Sequence, residues 1–200
     1  VKKPIAILAA FLVSPALFAA SETATEAPLK VYEIEVMVFQ NIRPEAEGEE
    51  LWMSERIDPE IKDLDKAVAI STIPGEDSDL TKVREIIEQD SNYRVLVHKQ
   101  WAQNADTRSE SKLVQLNTDD GELNGTFKFF MSRFLHVDVN LLYKESDSKS
   151  LFQAGNTENA ADINYEIREQ RRVRSNEMQY FDHPKFGLLV MVQPVDTTTH

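Results

Sequence analysis

The sequence predicts an α+β fold: a single, mostly antiparallel five-stranded sheet with one main helix packed on one face, and long loops. Five stretches carry strand signals, either strict alternation or short apolar runs: 31–39, 93–101, 126–143, 163–174 and 186–192. Only one stretch, Leu80–Gln89, sets apolar residues at helical spacing behind a capping residue. The segments between are polar and rich in Asp, Glu and Pro, which favours loops over further layers.

The chain reads as an export signal followed by one domain. Lys2 and Lys3 precede an apolar run, Ile5 to Phe18, after which Ala19, Ala20 and Ser21 offer a cleavage site. Residues 1–20 are therefore expected to be a cleaved Sec-type signal peptide, since the run is too short to cross a bilayer. Residues 21–30 form a flexible lead-in, 31–195 a single α+β domain, and 196–200 a loose tail. No later stretch is long and apolar enough for a membrane span, so the expected location is the periplasm. There is no cysteine, which excludes a thiol nucleophile, a thiolate metal site and a lipidated N-terminal cysteine.

Charge narrows the ligand. The formal net charge is −12, and loss of Lys2 and Lys3 with a signal would make it more negative. Such a surface repels a phosphate backbone and argues against a nucleic-acid partner. An anionic ligand needs a local basic patch, and one strand supplies it.

Val31–Phe39 alternates, with a wet side expected at Glu33 and Glu35 and apolar residues on both faces from Met37. Residues 40–79 read as a long loop pinned at Trp52, with Pro44, Pro59 and Pro74 preventing a long helix. Asp79 is the expected N-cap of a helix burying Leu80, Val83, Ile86 and Ile87. Tyr93–Trp101 follows, with Tyr93, Val95 and Val97 on one face and Leu96 and His98 on the other. Residues 102–124 are polar and read as a loop. Thr126–Tyr143 is long enough for one strand, kinked near Ser132-Arg133. Its second half sets His136, Asp138 and Asn140 opposite Leu135, Val137, Val139 and Leu141. From Ile163 the polar face holds Arg168, Arg172 and Arg174, while Arg171 falls on the apolar face and is expected at a frayed end. A short helical turn is expected at Asn176–Tyr180, and Phe186–Val192 reads as an interior strand.

Each chemical candidate carries a bland alternative. Arg168, Arg172 and Arg174, joined by His136 and Lys128 if the strand from Thr126 pairs alongside, form a face suited to carboxylates. The same arginines could instead pair with neighbours such as Glu166 and Asp138. His136 with Asp138 suits a metal or an acid–base pair, but no third ligand lies at diagnostic spacing, so no metal or cofactor is expected. Asp182-His183-Pro184 could be a triad fragment, yet there is no GxSxG or SxxK, and a structural corner built on Asp182 and Pro184 fits better. Glu33 with Glu35, or Glu177 with Asp182, are weak carboxylate pairs among 34 acids. Trp52, Trp101, Tyr165 and Tyr180 could stack on sugar rings or pack in a core, with Trp101 the better candidate for exposure.

Four motifs in order, YEIEVMVF, VLVHKQWAQ, RFLHVDVNLLY and RRVRSNEMQYFDHPKFGLLV, resemble the CsiV family of periplasmic peptidoglycan-binding proteins. The likeness covers most of the chain after residue 20. One departure is Gln179, where the family leads one to expect histidine. The resemblance implies a non-catalytic protein that binds peptidoglycan and supports its synthesis through LpoA, a lipoprotein activator of a class A penicillin-binding protein. It carries over Trp101, His136, Arg172, Arg174, Tyr180, Asp182 and His183 by matching motif. The expected ligand-binding set is thus Arg168, Arg172, Arg174, His136, Trp101, Tyr180 and His183, with no catalytic residue. Two rivals remain: a hydrolase of wall glycan or peptide, and a partner-binding module using the 40–79 loop or an open sheet edge.

Overall fold

The structure is a computed structural model, and it describes residues 30–43, 61, 63–70, 74–145 and 163–195. The expected export signal, the Trp52 plug, the loop after Glu145 and the C-terminal tail lie outside the described residues. Within them run β1 (Val31–Asn41), β2 (Val68–Ala69), α1 (Asp79–Gln89), β3 (Tyr93–Asn104), β4 (Leu113–Gln115), β5 (Leu123–Met131), β6 (Leu135–Glu145), β7 (Ile163–Arg172), β8 (Gln179–His183) and β9 (Phe186–Pro194). One 3-10 turn, Leu64–Lys66, precedes β2.

The strands form two sheets, a four-stranded one in the order β3-β1-β9-β8 and a five-stranded one in the order β2-β4-β5-β6-β7. The expected α+β fold with one five-stranded sheet is therefore wrong: the described residues are mostly β, with two sheets and a single α-helix. The two sheets share one core. Ile34, Val36 and Val38 of β1 and Leu188, Val190 and Val192 of β9 meet Phe127, Phe129, Val137, Val139 and Leu141 of β5 and β6. Ring pairs cross the interface: Tyr32 with Phe129 at 5.4 Å, Trp101 with Phe127 at 5.5 Å and Tyr143 with Phe186 at 5.5 Å. An 11-residue helix is only about 16 Å long and cannot cover this many strands, so the apolar faces cover each other.

Three local features added the strands that the sequence concealed. Thr126–Tyr143 is not one kinked strand: Ser132–Phe134 turns the chain, and β5 and β6 pair antiparallel from Met131↔Leu135 to Leu123↔Tyr143. Within the polar segment 102–124, β4 pairs with β5. The expected helical turn at Asn176–Tyr180 is absent. Instead Asn176 adopts a left-handed conformation (φ 61) and its N–H donates to the Val192 carbonyl (2.8 Å), and β8 follows. That turn carries the chain from one sheet to the other, and Pro184-Lys185 then joins β8 to β9, with His183↔Phe186 the last pair.

The helix lies on the outer face of the four-stranded sheet, where Leu80, Val83 and Ile87 pack on Met37, Phe39, Val95, Leu189 and Met191. Ile86 is 68% exposed rather than buried, because it falls off the stripe that 80, 83 and 87 make at 3.6 residues per turn. The N-cap is Ser78, not Asp79; its hydroxyl accepts from the Thr81 N–H at 3.3 Å. Glu35 is not wet. It is 4% exposed beneath the helix start, accepting from Ser78 Oγ (2.6 Å), the Leu80 N–H (3.3 Å) and His98 Nε2 (2.7 Å). Burial raises its pKa, but these hydrogen bonds outweigh that and hold it below the ordinary carboxylate value. A register shift where Val38 faces Val97 but Phe39 faces Val95 explains β3: Val95 joins the helix side, while Leu96 and Val97 both turn to the shared core.

Candidate functional site

Among the described residues, no helix lies on the outer face of the five-stranded sheet. Period-two alternation turns Val137, Val139 and Leu141 inward, so His136, Asp138 and Asn140 must point out. Register then sets these residues in rows across the strands. Asn140 lies between Thr126 and Arg168, Asp138 between Lys128 and Gln170, and His136 between Phe130 and Arg172. Gln115 and Leu113 extend the first two rows onto β4. Neighbouring strands lie about 4.8 Å apart and successive rows about 7 Å, so this face is a grid of amide, hydroxyl and charged groups at sugar-ring spacing.

A cleft of about 520 Å³ opens over the grid, lined by Asp63, Arg108, Leu113, Thr126, Lys128, Asp138, Asn140, Arg168, Glu169 and Gln170. It adjoins a second of about 390 Å³, which shares Asp63, Leu113 and Lys128 and adds Lys66 and Lys112. The charges in the main cleft are not equivalent. Asp138 is engaged by Arg108 (2.7 Å), Glu169 by Arg171 (2.6 Å), and Asp63 by Lys66. Among the described residues, Lys128 and Arg168 have no carboxylate partner; the Lys128 ammonium donates only to the Arg108 carbonyl (3.3 Å). The pairing of Asp138 with Arg168 or Arg172 that composition allowed does not occur. Arg172 instead lays its guanidinium over the Phe134 ring at 3.5 Å. His136 stacks on Phe130 (5.2 Å, 11°), with Nδ1 2.8 Å from the Phe134 carbonyl, and so makes no acid–base pair with Asp138.

The remaining expected residues are dispersed. Arg174 lies beyond β7, facing Glu177 at 3.5 Å, and shares with Arg172 and Gln179 a small cleft of about 210 Å³ apart from the main one. Trp101 is core: 7% exposed, its indole N–H donating to Gln103 Oε1 at 2.8 Å, which overturns its expected exposure. Tyr180 and Asp182 lie on the outer face of the other sheet, joined by a 2.6 Å hydrogen bond from the phenol to Oδ1. Burial, and then Asp182, raise the Tyr180 phenol far above its ordinary value, so it stays a donor. His183 turns to the opposite side of β8, against Tyr165 (5.4 Å) and Phe186 (5.3 Å), and its Nδ1 accepts the Lys185 N–H at 3.1 Å. Burial lowers its pKa against the pull of Asp182, so the imidazole is a neutral part of the corner, away from the grid. The Pro184 carbonyl accepts from Asn41 Nδ2 (3.2 Å), tying that corner to β1.

The family model described as "Peptidoglycan-binding protein, CsiV" matches residues 4–195. The chain belongs to the CsiV family. No curated protein and no solved structure matches it. No helix among the described residues is long and apolar enough to cross a membrane.

Sequence reasoning missed Arg108 and Lys112, which it placed in a loop. That loop folds back on β5: the Met131 N–H donates to Asp106 O (2.8 Å), and Ser111 Oγ donates to Phe129 O. It also missed Arg171, which is no frayed end. The Arg171 guanidinium lies 4.2 Å from the Phe181 ring centroid, and donates to Tyr180 O (2.7 Å), linking β7 to β8 across the two sheets.

Proposed function

We propose that this chain is a non-catalytic periplasmic protein that grips peptidoglycan on the open face of its five-stranded sheet. The observation that carries the reading is the pair Lys128 and Arg168, which among the described residues have no carboxylate partner, in a cleft whose three described acids are all engaged. Stem peptides of the wall offer carboxylates to these cations, and Asn140, Gln170 and Gln115 offer donors and acceptors to glycan hydroxyl and acetamido groups. The cleft's acids face cations rather than one another, which favours holding the polymer over cutting it. The wider role, in which the bound protein supports wall synthesis together with an LpoA-like activator of a penicillin-binding protein, rests on the resemblance of the four motifs alone.

The test is a pull-down on purified sacculi with Lys128→Ala combined with Arg168→Ala. One charge-assisted hydrogen bond contributes about 1.5–3 kcal/mol, so losing two should weaken binding by at least tenfold. Wild-type binding should also fall with salt. Unchanged binding by the double variant would remove this site, and muropeptides released from the sacculi would favour a hydrolase. Co-purification with the lipoprotein in the absence of any sacculus binding would favour a partner module.

A further inference from the structure

The opposite face of the sandwich holds a second cleft, of about 370 Å³, where the sheet runs out from under the helix. Its lining is aromatic. Phe39 of β1 and Tyr180 of β8 lie nearly parallel with centroids 6.1 Å apart, and Tyr93 meets Phe39 edge-on at 5.8 Å. Gly187 makes this arrangement possible: a Cβ there would come within 2.7 Å of the Tyr180 ring and 2.8 Å of Phe39. Tyr93 and Tyr180 are 37% and 45% exposed, so both rings are open to solvent.

Among the described residues one carboxylate, Asp182, lines this cleft, and no lysine or arginine does. Tyr180 donates to Oδ1 and fixes the carboxylate beside the rings, while Oδ2 accepts nothing from a described residue. Ring faces are electron-rich and attract cations within about 6 Å, most strongly where a carboxylate completes the cage. His183, the one other titratable group besides the tyrosines, contributes no positive charge there, since its Nδ1 accepts the Lys185 N–H. The acidic chain as a whole draws cations to it.

We infer that the cleft bounded by Phe39, Tyr93, Tyr180 and Asp182 binds a primary alkylammonium group. Its source is an amine on the wall's stem peptides, an assignment that rests on the wall-binding reading above. The molecule then meets the polymer with complementary chemistry on its two faces, cations for stem carboxylates and an aromatic–carboxylate cage for a stem amine.

The test uses the full chain and the probe Nα-acetyl-lysine methylamide, with binding followed by NMR. Saturable shifts at Tyr93 and Tyr180 are expected, with at least a tenfold loss of affinity when the probe's Nζ is acetylated or when Asp182 is changed to Asn. Tyr180→Leu should weaken binding similarly, and melting curves of both variants check that they fold. Equal binding of the acetylated probe, or no saturable shift, would overturn the cage. Shifts at the same residues with N-acetylglucosamine and none with the amine would overturn it in favour of a sugar platform. In a separate arm, sacculi with acetylated amines should retain wild type at least threefold less well than untreated sacculi, and Asp182→Asn should not distinguish them. Equal retention by wild type would overturn the wall source. Loss of sacculus binding in the Lys128→Ala, Arg168→Ala variant but not in Asp182→Asn would overturn the stem-amine role while sustaining the wall reading.

Discussion

The two sheets alternate in the same way, yet their outer faces end in opposite chemistry. On the four-stranded sheet Met37, Leu189 and Met191 point away from the shared core, and α1 covers them with Leu80, Val83 and Ile87. The one acid caught beneath the helix, Glu35, is satisfied by Ser78, Leu80 and His98. On the five-stranded sheet the corresponding outward positions are Thr126, Lys128, Asp138, Asn140, Arg168 and Gln170, and no helix among the described residues covers them. An apolar outer face demands another layer; a polar one can remain open to a ligand. The helix-covered part of one face therefore serves stability, while the aromatic cleft beyond the helix and the polar face of the other sheet stay accessible.

Variants can break that division. The largest effect is expected from Glu35→Ala, which takes a charged acceptor from Ser78, the Leu80 N–H and His98 at once; at about 1–3 kcal/mol for each buried donor left unsatisfied, the loss in chemical denaturation should exceed about 3 kcal/mol. Glu35 also sets a pH signature. Its folded pKa lies below its unfolded value, so the stability it contributes is present above about pH 4.5 and is lost as pH falls through the folded pKa. Glu35→Gln should flatten that acid limb; an unchanged slope would mean other carboxylates govern it.

Leu80→Ala, at a fully buried position, should cost about 3 kcal/mol and release the helix from the sheet, visible as lost amide protection along 79–89. Gly187→Ala should cost on the order of 1–3 kcal/mol, because two rings must move to admit the Cβ. A neutral result there would mean that Tyr180 repacks freely. On the open face, Arg168→Ala should change stability by less than about 0.5 kcal/mol while weakening sacculus binding. Smallest of all, Arg174→Ala should leave both stability and binding nearly unchanged, since its exposed side chain already faces Glu177. A large binding loss in Arg174→Ala would move the site toward the crossover after β7.

Much of the open face was legible because alternation is a local property. The spacing of His136, Asp138 and Asn140 against Val137, Val139 and Leu141 required a polar side to that strand, and Arg168, Gln170 and Arg172 required another. The short strands β4 and β8, of three and five residues, were not legible, because so few positions carry too little periodicity. Arg174 was misplaced for a related reason: alternation continues on paper past the point where β7 ends and the chain turns at Asn176.

By itself, then, the sequence determined which side chains share a face within β6 and β7, where the helix 79–89 lies, and that an acidic chain clusters four arginines between 168 and 174. The tertiary structure alone decided that the strands divide into two sheets, that Trp101 packs on Phe127, and that Arg108 reaches Asp138 while Arg168 has no carboxylate partner among the described residues. The reason is physical. Side-chain direction along a strand follows from its own backbone, whereas strand neighbours and ion-pair partners are chosen among residues far apart in the chain, by which apolar faces can cover one another.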